Sequence, residues 1–466
     1  MQGTDSRSPL YCETPREHGF EPLRVEGKLP AALAGTLYRV GPGLFGSSGR
    51  RYRHLFESDG AVSAVRFGDG LAAGAYRVIE SAGLRAERAA GRPLFGSVVG
   101  RPRRIRNVLA GRTKNLANTS VLAWQGRLFG LLEAARPTQI SPEDLRTIGE
   151  SDLDGAVADT FSAHPHFVAA RRAFYNFGMR FGARSAIDLY ELPVAGRARR
   201  LGTLPLAAPT VLHDFAATER HLVFFLAPSR LRLVRALLGE ERPERLFDWQ
   251  PERGNEIVVV PIDAPERAQR IRSEAFFAWH FANAFERGDE IVVDFVRHAD
   301  VSALGTMRDA AARGGAVIDM NLGEPCRARV DLRRGRFEAE AEAVAELHCE
   351  FPAIDRRGAG GPRRFVWLTV SEGAARGIAR LDLERGEARR WLPEGQHPSE
   401  PVFAPRPGSA GETEGWVLVL VFDERSDTSH VAVLDADAPE AGPIGRAHFD
   451  HHVPVTLHGT WAAAPG

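Results

Sequence analysis

Four of the fifteen histidines stand apart by their surroundings. His164 lies in Ser162-Ala163-His164-Pro165-His166 and His213 in Leu212-His213-Asp214-Phe215. His280 lies in Trp279-His280-Phe281-Ala282-Asn283-Ala284 and His458 in Leu457-His458-Gly459-Thr460-Trp461. Each is flanked by apolar or small residues at the edge of a strand-like run. Neutral imidazole suits zinc, copper, nickel and iron, so four such rings in one place would make a metal centre. Any one histidine alone reads better as an ordinary core or surface residue. His18, His221 and His430 have polar neighbours and read as exposed. The close pairs His164/His166 and His451/His452 suggest zinc, but no Cys-x-x-Cys partner completes a structural zinc site.

The four selected histidines are separated by 49, 67 and 178 residues, so no local element unites them. They require an architecture whose strands converge. Short β-like runs dominate the chain: 121–124, 128–132, 222–226, 256–262, 290–296, 365–370, 416–422 and 431–434. Gln125-Gly126 reads as a hairpin turn between the first two, and Arg287-Gly288-Asp289 and Arg406-Pro407-Gly408 punctuate others. This pattern predicts an all-β sandwich, barrel or propeller. A propeller brings its innermost strands to one axis, although the lack of a tryptophan–aspartate repeat requires it to be irregular. Segments 98–111 and 230–239 mix apolar residues with arginine. They read either as surface helices covering the top of the sheet, or as a patch that adsorbs to a bilayer.

Composition narrows the class. Sixty basic residues balance sixty acidic ones, so no global field draws the chain to nucleic acid. All but Lys28 and Lys114 of the basic residues are arginine. Residues 1–17 carry no apolar signal core, and no run of 18 uncharged apolar residues occurs. Cys12, Cys326 and Cys349 are too few for a disulfide framework. These features predict a cytoplasmic protein, at most peripheral on a membrane, with one domain over 1–466 and an extended segment over 1–30. Gly41-Pro42-Gly43-Leu44-Phe45-Gly46 fits a dinucleotide fingerprint in letters, but no amphipathic helix follows to face a pyrophosphate. Walker, zinc-protease and nucleophile-elbow motifs are absent.

A longer series of motifs then falls into place. Gly35-Thr36-Leu37-Tyr38-Arg39-Val40-Gly41-Pro42, His54-Leu55-Phe56-Glu57-Ser58-Asp59-Gly60, Asn118-Thr119-Ser120 and Leu131-Leu132-Glu133 precede Val211-Leu212-His213-Asp214-Phe215. His280-Phe281-Ala282-Asn283-Ala284, Glu350-Phe351-Pro352, Ser399-Glu400-Pro401-Val402-Phe403 and His458-Gly459-Thr460-Trp461 follow. In this order the chain resembles the carotenoid cleavage oxygenases over nearly its whole length. The resemblance implies a seven-bladed β-propeller with a helical and loop dome. It implies one Fe²⁺ per chain, held by His164, His213, His280 and His458, with Glu133, Glu350 and Glu400 hydrogen-bonded to three of the rings. Outer carboxylates of this kind fix each ring's tautomer and raise its basicity.

The implied reaction is dioxygenase cleavage of a C=C bond in a lipophilic polyene, a carotenoid or apocarotenoid, to aldehyde or ketone products. No protein acid or base is required beyond the metal site. Phe161, Phe277 and Trp279 lie close in sequence to ligand positions and are expected to line an apolar substrate tunnel. Stilbene-cleaving members carry a lysine where Leu132 stands, which disfavours a phenolic stilbene. Cleavage of a stilbene or other phenylpropanoid alkene, isomerisation with iron as Lewis acid, and a propeller acting only as a binding module are the alternatives.

Overall fold

Valine, isoleucine and phenylalanine crowd the strand-like runs, and such side chains suit a pleated surface packed on both faces. In the computed structural model these runs become seven antiparallel sheets arranged as the blades of a propeller. The structure describes residues 8–11, 14–181, 184–238, 240, 243–303, 322–340 and 345–464. Each blade is sandwiched between two others, so a middle strand such as Gly415–Asp423 is buried on both faces. A rim strand such as Arg199–Pro205 is mostly exposed. The apolar clusters therefore sit between blades. One joins Val168, Tyr175 and Leu189 to Phe215, Phe224 and Val258 of the next sheet.

The innermost strands place the chemistry. They are His458–Ala463, Ser120–Trp124, His166–Val168, Ala216–Ala217, Phe277–Arg287, His348–Ala353 and Val402–Pro405. The first blade runs from rim to axis as His18–Pro22, Leu71–Val78, Asp59–Gly68, Gly35–Leu44 and His458–Ala463. The ring is thus closed by a strand from the far end of the sequence, with His458 opposite Val40. Of the expected extended segment 1–30, residues 1–7 and 12–13 lie outside the described residues. His18–Pro22 edges the first blade, and Arg24–Gly27 pairs with Pro443–His448 at the rim of the last.

Gln125 and Gly126 both have positive φ, 49° and 72°, as a two-residue hairpin turn requires. The Gly-Pro-Gly run lies inside the strand Gly35–Leu44. A Cβ on Gly41 would stand 2.3 Å from the Val455 carbonyl, and one on Gly43 would stand 2.1 Å from Ala61 Cβ. Those glycines permit close backbone approach, not phosphate binding.

Two expectations change. Segment 230–239 is not one helix: Ser229–Leu231 pairs with Phe247–Trp249, and the helix is Leu233–Leu237, with residue 239 outside the described residues. Segment 98–111 does contain a helix, Arg101–Leu109. Arg101 Nε donates to the Leu238 carbonyl at 3.0 Å and joins the two. His18 and His430 are buried, not exposed. His221 is partly buried, with Nδ1 3.0 Å from a Glu286 oxygen. At His18 and His221 the preceding Glu17 and Arg220 face outward while the rings turn in; at His430 the whole mid-strand is buried. Cys326 and Cys349 are buried and form no disulfide among the described residues, and Cys12 lies outside them.

Candidate metal centre

His164 and His213 lie two and three residues before the inner strands of adjacent blades, His280 lies within the next inner strand, and His458 begins the closing one. Their ligand nitrogens all lie within 4.8 Å of one another. The Nε2 atoms of His164 and His213 are 2.9 Å apart, and those of His280 and His458 are 3.2 Å apart. Nitrogens that close, without a proton between them, have lone pairs aimed at a common point. Two metal–nitrogen bonds of about 2.0–2.1 Å place cis ligand atoms roughly 2.9–3.4 Å apart.

Carboxylates settle which nitrogen carries the hydrogen in three of the rings. His213 Nδ1 is 2.8 Å from Glu133 Oε1, His280 Nδ1 is 2.5 Å from Glu350 Oε2, and His458 Nδ1 is 2.8 Å from Glu400 Oε1. Each Nδ1–H donates outward, which leaves Nε2 free to ligate. His164 has no such carboxylate among the described contacts. Its backbone N–H donates to Ser162 Oγ at 3.2 Å, and its ring borders an axial cavity of about 350 Å³. The set comes from every blade: four supply a histidine and the other three a glutamate.

The electrostatics hold the three carboxylates anionic and favour the neutral form of His164 and His458. Burial raises the Glu350 carboxyl, but the nearby His280 and His298 more than offset this and hold it far below the usual range. Burial likewise acts against Glu133 and Glu400, and their histidine partners bring both down. Burial, then the three neighbouring ligand rings, keeps His164 well below an ordinary histidine. Burial also lowers His458, and Glu400 only partly restores it. At His280 burial acts in the same sense, but Glu350 outweighs it and the net direction is upward.

Sequence reasoning overlooked two residues. Arg39, fully buried, donates from Nη1 to Glu400 Oε2 at 2.8 Å and to the Glu400 carbonyl at 3.0 Å. Its Nε and Nη2 donate to Thr456 Oγ1 at 3.1 and 2.9 Å. His298 Nε2 donates to Glu350 Oε1 at 2.7 Å. A charged residue inside the apolar strand Gly35–Leu44 was the available signal for Arg39, because buried charges are normally paired.

The three expected pocket residues divide. Trp279 lies edge-on to His213, with ring centroids 5.0 Å apart, and Phe277 is 4.7 Å from Trp279. They join Ala227, Ala303, Val211, Phe247 and Trp249 in an apolar cluster. Phe161 instead packs on Tyr190 at 5.7 Å, in the core shared with Leu122, Trp124 and Leu192. Its neighbours are interblade core residues, which removes the basis for placing it in a tunnel.

A closed propeller with four converging histidines defines a class of fold with a candidate metal site, and sequence comparison gives it a family. The retinal pigment epithelial membrane protein family matches residues 11–463. An apocarotenoid-15,15'-oxygenase of Synechocystis is 31% identical, over 97% of this chain and 95% of that protein. A lignostilbene-alpha,beta-dioxygenase isozyme III of Sphingomonas paucimobilis is 30% identical, over 95% and 94%. The cobalt-substituted Synechocystis oxygenase superposes with a TM-score of 0.88 at 29% identity, covering 99% of each chain. The chain belongs to the retinal pigment epithelial membrane protein family, that of the carotenoid cleavage oxygenases.

Proposed function

We propose that His164, His213, His280 and His458 hold one Fe²⁺ per chain, and that the protein is a dioxygenase cleaving a C=C bond of an apocarotenoid or carotenoid. The observation that carries this is the convergence of four ring nitrogens, three of them in rings whose Nδ1 faces a carboxylate. Imidazole donors suit ferrous iron, and four of them leave coordination positions open. When bound, Fe²⁺ supplies the activation of dioxygen that breaks the alkene into two carbonyl products. The protein's own residues do the rest. Glu133, Glu350 and Glu400 hold three ring tautomers, while Trp279 and Phe277 present an apolar wall beside His213 that excludes water and orients a polyene.

An exposed apolar surface supports a lipophilic substrate. Val108, Leu109, Val234, Leu237 and Leu238 are exposed together around the Arg101–Leu238 contact, with Arg106, Arg232 and Arg235 exposed nearby. A helix pair of this kind rests on an anionic membrane surface, apolar residues inserted and arginines at the headgroups. No helix among the described residues is long and apolar enough to cross a membrane. The reading is therefore of a cytoplasmic protein, peripheral on the bilayer that dissolves its substrate. Leu132, where a phenol-binding lysine would be required, favours the apocarotenoid over a stilbene.

The test is metal analysis of protein purified without added metal, then anaerobic ferrous titration and oxygen uptake with an apocarotenal and a hydroxystilbene. One iron per chain with two aldehydes from the apocarotenal is expected. Turnover of the stilbene alone would move the substrate class, and no ferrous binding would end the metal assignment.

A further inference from the structure

Two consecutive arginines follow the inner strand His348–Ala353, and they meet different fates. The Asp355 side chain accepts the Arg357 N–H at 3.0 Å and so starts the 3-10 turn Arg356–Gly358. Across the axis, the Ala169 N–H donates to the Ala359 carbonyl at 2.9 Å, which fixes the far end of that turn. Arg357 is fully engaged. It donates to both Asp355 oxygens at 3.0 Å, to the Ser409 carbonyl at 2.5 Å and to the Gly411 carbonyl at 3.0 Å. Arg356 instead lines the axial cavity, and its one hydrogen bond among the described residues runs from Nη1 to Thr460 Oγ1 at 2.7 Å.

A guanidinium carries five N–H donors and a permanent charge. Arg39 engages Nε, Nη1 and Nη2 on Thr456, Glu400 and Leu457. At Arg356, Nε and Nη2 have no acceptor among the described residues, and no carboxylate there comes within 4.0 Å. The acids of the cavity wall are taken: Asp355 holds Arg357, and Glu400 holds Arg39 and His458. Asp214 faces His166 Nε2 at 2.7 Å and accepts the Phe281 N–H at 2.8 Å. Arg356 is open to the cavity, yet it stands deep enough that burial lowers its proton affinity, which the Glu400 charge only partly restores. Phe167, Phe174, Phe403 and Trp461 also line the cavity. A charge among such walls is poorly solvated and calls for a partner.

We propose that Arg356, held in place by Thr460, is a carboxylate-binding site in the axial cavity. The unused edge of the guanidinium, Nε and Nη2, presents two parallel donors, and a planar carboxylate matches them with two oxygens. Thr460 Oγ1 fixes the plane from the other edge. Thr460 lies two residues beyond His458 on the same strand face, about 6–7 Å along it. The ligand therefore enters the cavity that borders the His164, His280 and His458 rings, on donors that belong to none of them. Its carboxylate is that of a small free anion of the formate–bicarbonate class or the acid end of a polyene. The site rests on the charges of the propeller and not on a metal.

The test is calorimetric titration of the full-length protein with formate at constant ionic strength, on metal-free and on iron-loaded samples. One formate per chain is expected in both, so the metal-free sample answers independently of the four-histidine centre. Arg356→Met, shown by circular dichroism to be folded, should weaken formate binding about tenfold or more. Arg356→Lys keeps the charge without the planar fork and should fall between. Ferrous affinity of both variants should stay at the wild-type level. Sorbate, a short conjugated acid, separates the two sources. Binding tighter than formate and dependent on Arg356 assigns the site to a polyene acid, and equal binding assigns it to a small anion. Equal formate affinity in wild type and Arg356→Met would overturn the proposal, as would a wild type that binds neither acid.

Discussion

Replacing Glu350 by glutamine separates the carboxylate's charge from its shape. The native carboxylate accepts three hydrogens: His280 Nδ1–H at 2.5 Å and Phe351 N–H at 2.7 Å on Oε2, and His298 Nε2–H at 2.7 Å on Oε1. A glutamine has one acceptor oxygen and one donor amide. The oxygen belongs on the side with two donors, which turns the amide toward His298. His298 can respond by moving its proton to Nδ1 and accepting through Nε2. The opposite flip would place the amide against His280 Nδ1 and force that ring's proton onto Nε2, the atom 3.2 Å from His458 Nε2. The first arrangement keeps His280 a ligand but removes the anion that raises its basicity. Loss of such an outer partner weakens metal binding by about 10–100-fold, or about 1.4–2.7 kcal/mol. Anaerobic competition against a coloured ferrous chelator reads this directly, with circular dichroism as a check on folding. A folded Glu350→Gln protein that binds Fe²⁺ within about threefold of wild type would refute the tautomer argument.

His280→Ala removes a ligand outright and should abolish both stoichiometric iron and oxygen uptake; full activity with bound iron would sink the ligand assignment. Arg39→Met leaves the Glu400 carboxylate buried without its cation. Breaking a buried ion pair costs about 3–5 kcal/mol, and the low end applies because His458 and Gly459 still donate to Glu400. Urea unfolding of the apoprotein should show it, and a loss below about 1 kcal/mol would contradict the reading. Leu109→Glu combined with Val234→Glu should cut flotation with anionic vesicles severalfold while detergent-solubilised substrate is still turned over; unchanged flotation would exclude this face as the membrane contact. Trp279→Ala should lower kcat/KM about tenfold, ~1.4 kcal/mol, with iron content intact, and wild-type kinetics would remove the indole from the substrate path.

The strands were legible because middle strands of stacked blades are buried on both faces and so read as apolar runs. The expected 290–296 and 416–422 became Glu290–His298 and Gly415–Asp423. The four histidines were legible one by one through their apolar settings, but convergence came only through family resemblance, since spacing does not encode blade order. What stayed hidden depends on partners distant in sequence. His18 looks polar among Glu17, Gly19 and Glu21, and its burial is decided by His451 and Phe449. His430 sits mid-strand against His448, where the neighbouring strand decides exposure. Segment 230–239 carried a helical pattern, but pairing with Phe247–Trp249 claimed its first residues for a sheet. Phe161 adjoins a ligand loop in sequence, yet its side chain turns into the interblade core.

The strand that begins with His458 has a consequence for how the centre is built. A chain emerges from its N-terminus at about 5–20 residues per second, and 178 residues separate His280 from His458. The last ligand is therefore translated roughly 10–35 seconds after the third. Glu400 is made in that interval, but the ring it orients does not yet exist. Only when His458–Ala463 docks on Gly35–Leu44 do the four rings share one space. On the proposed ligand set, metal acquisition is a late event in biogenesis, gated by closure of the circle. An ion captured then ties the third, fourth and fifth blades to the closing strand, so its release and the reopening of the ring are coupled.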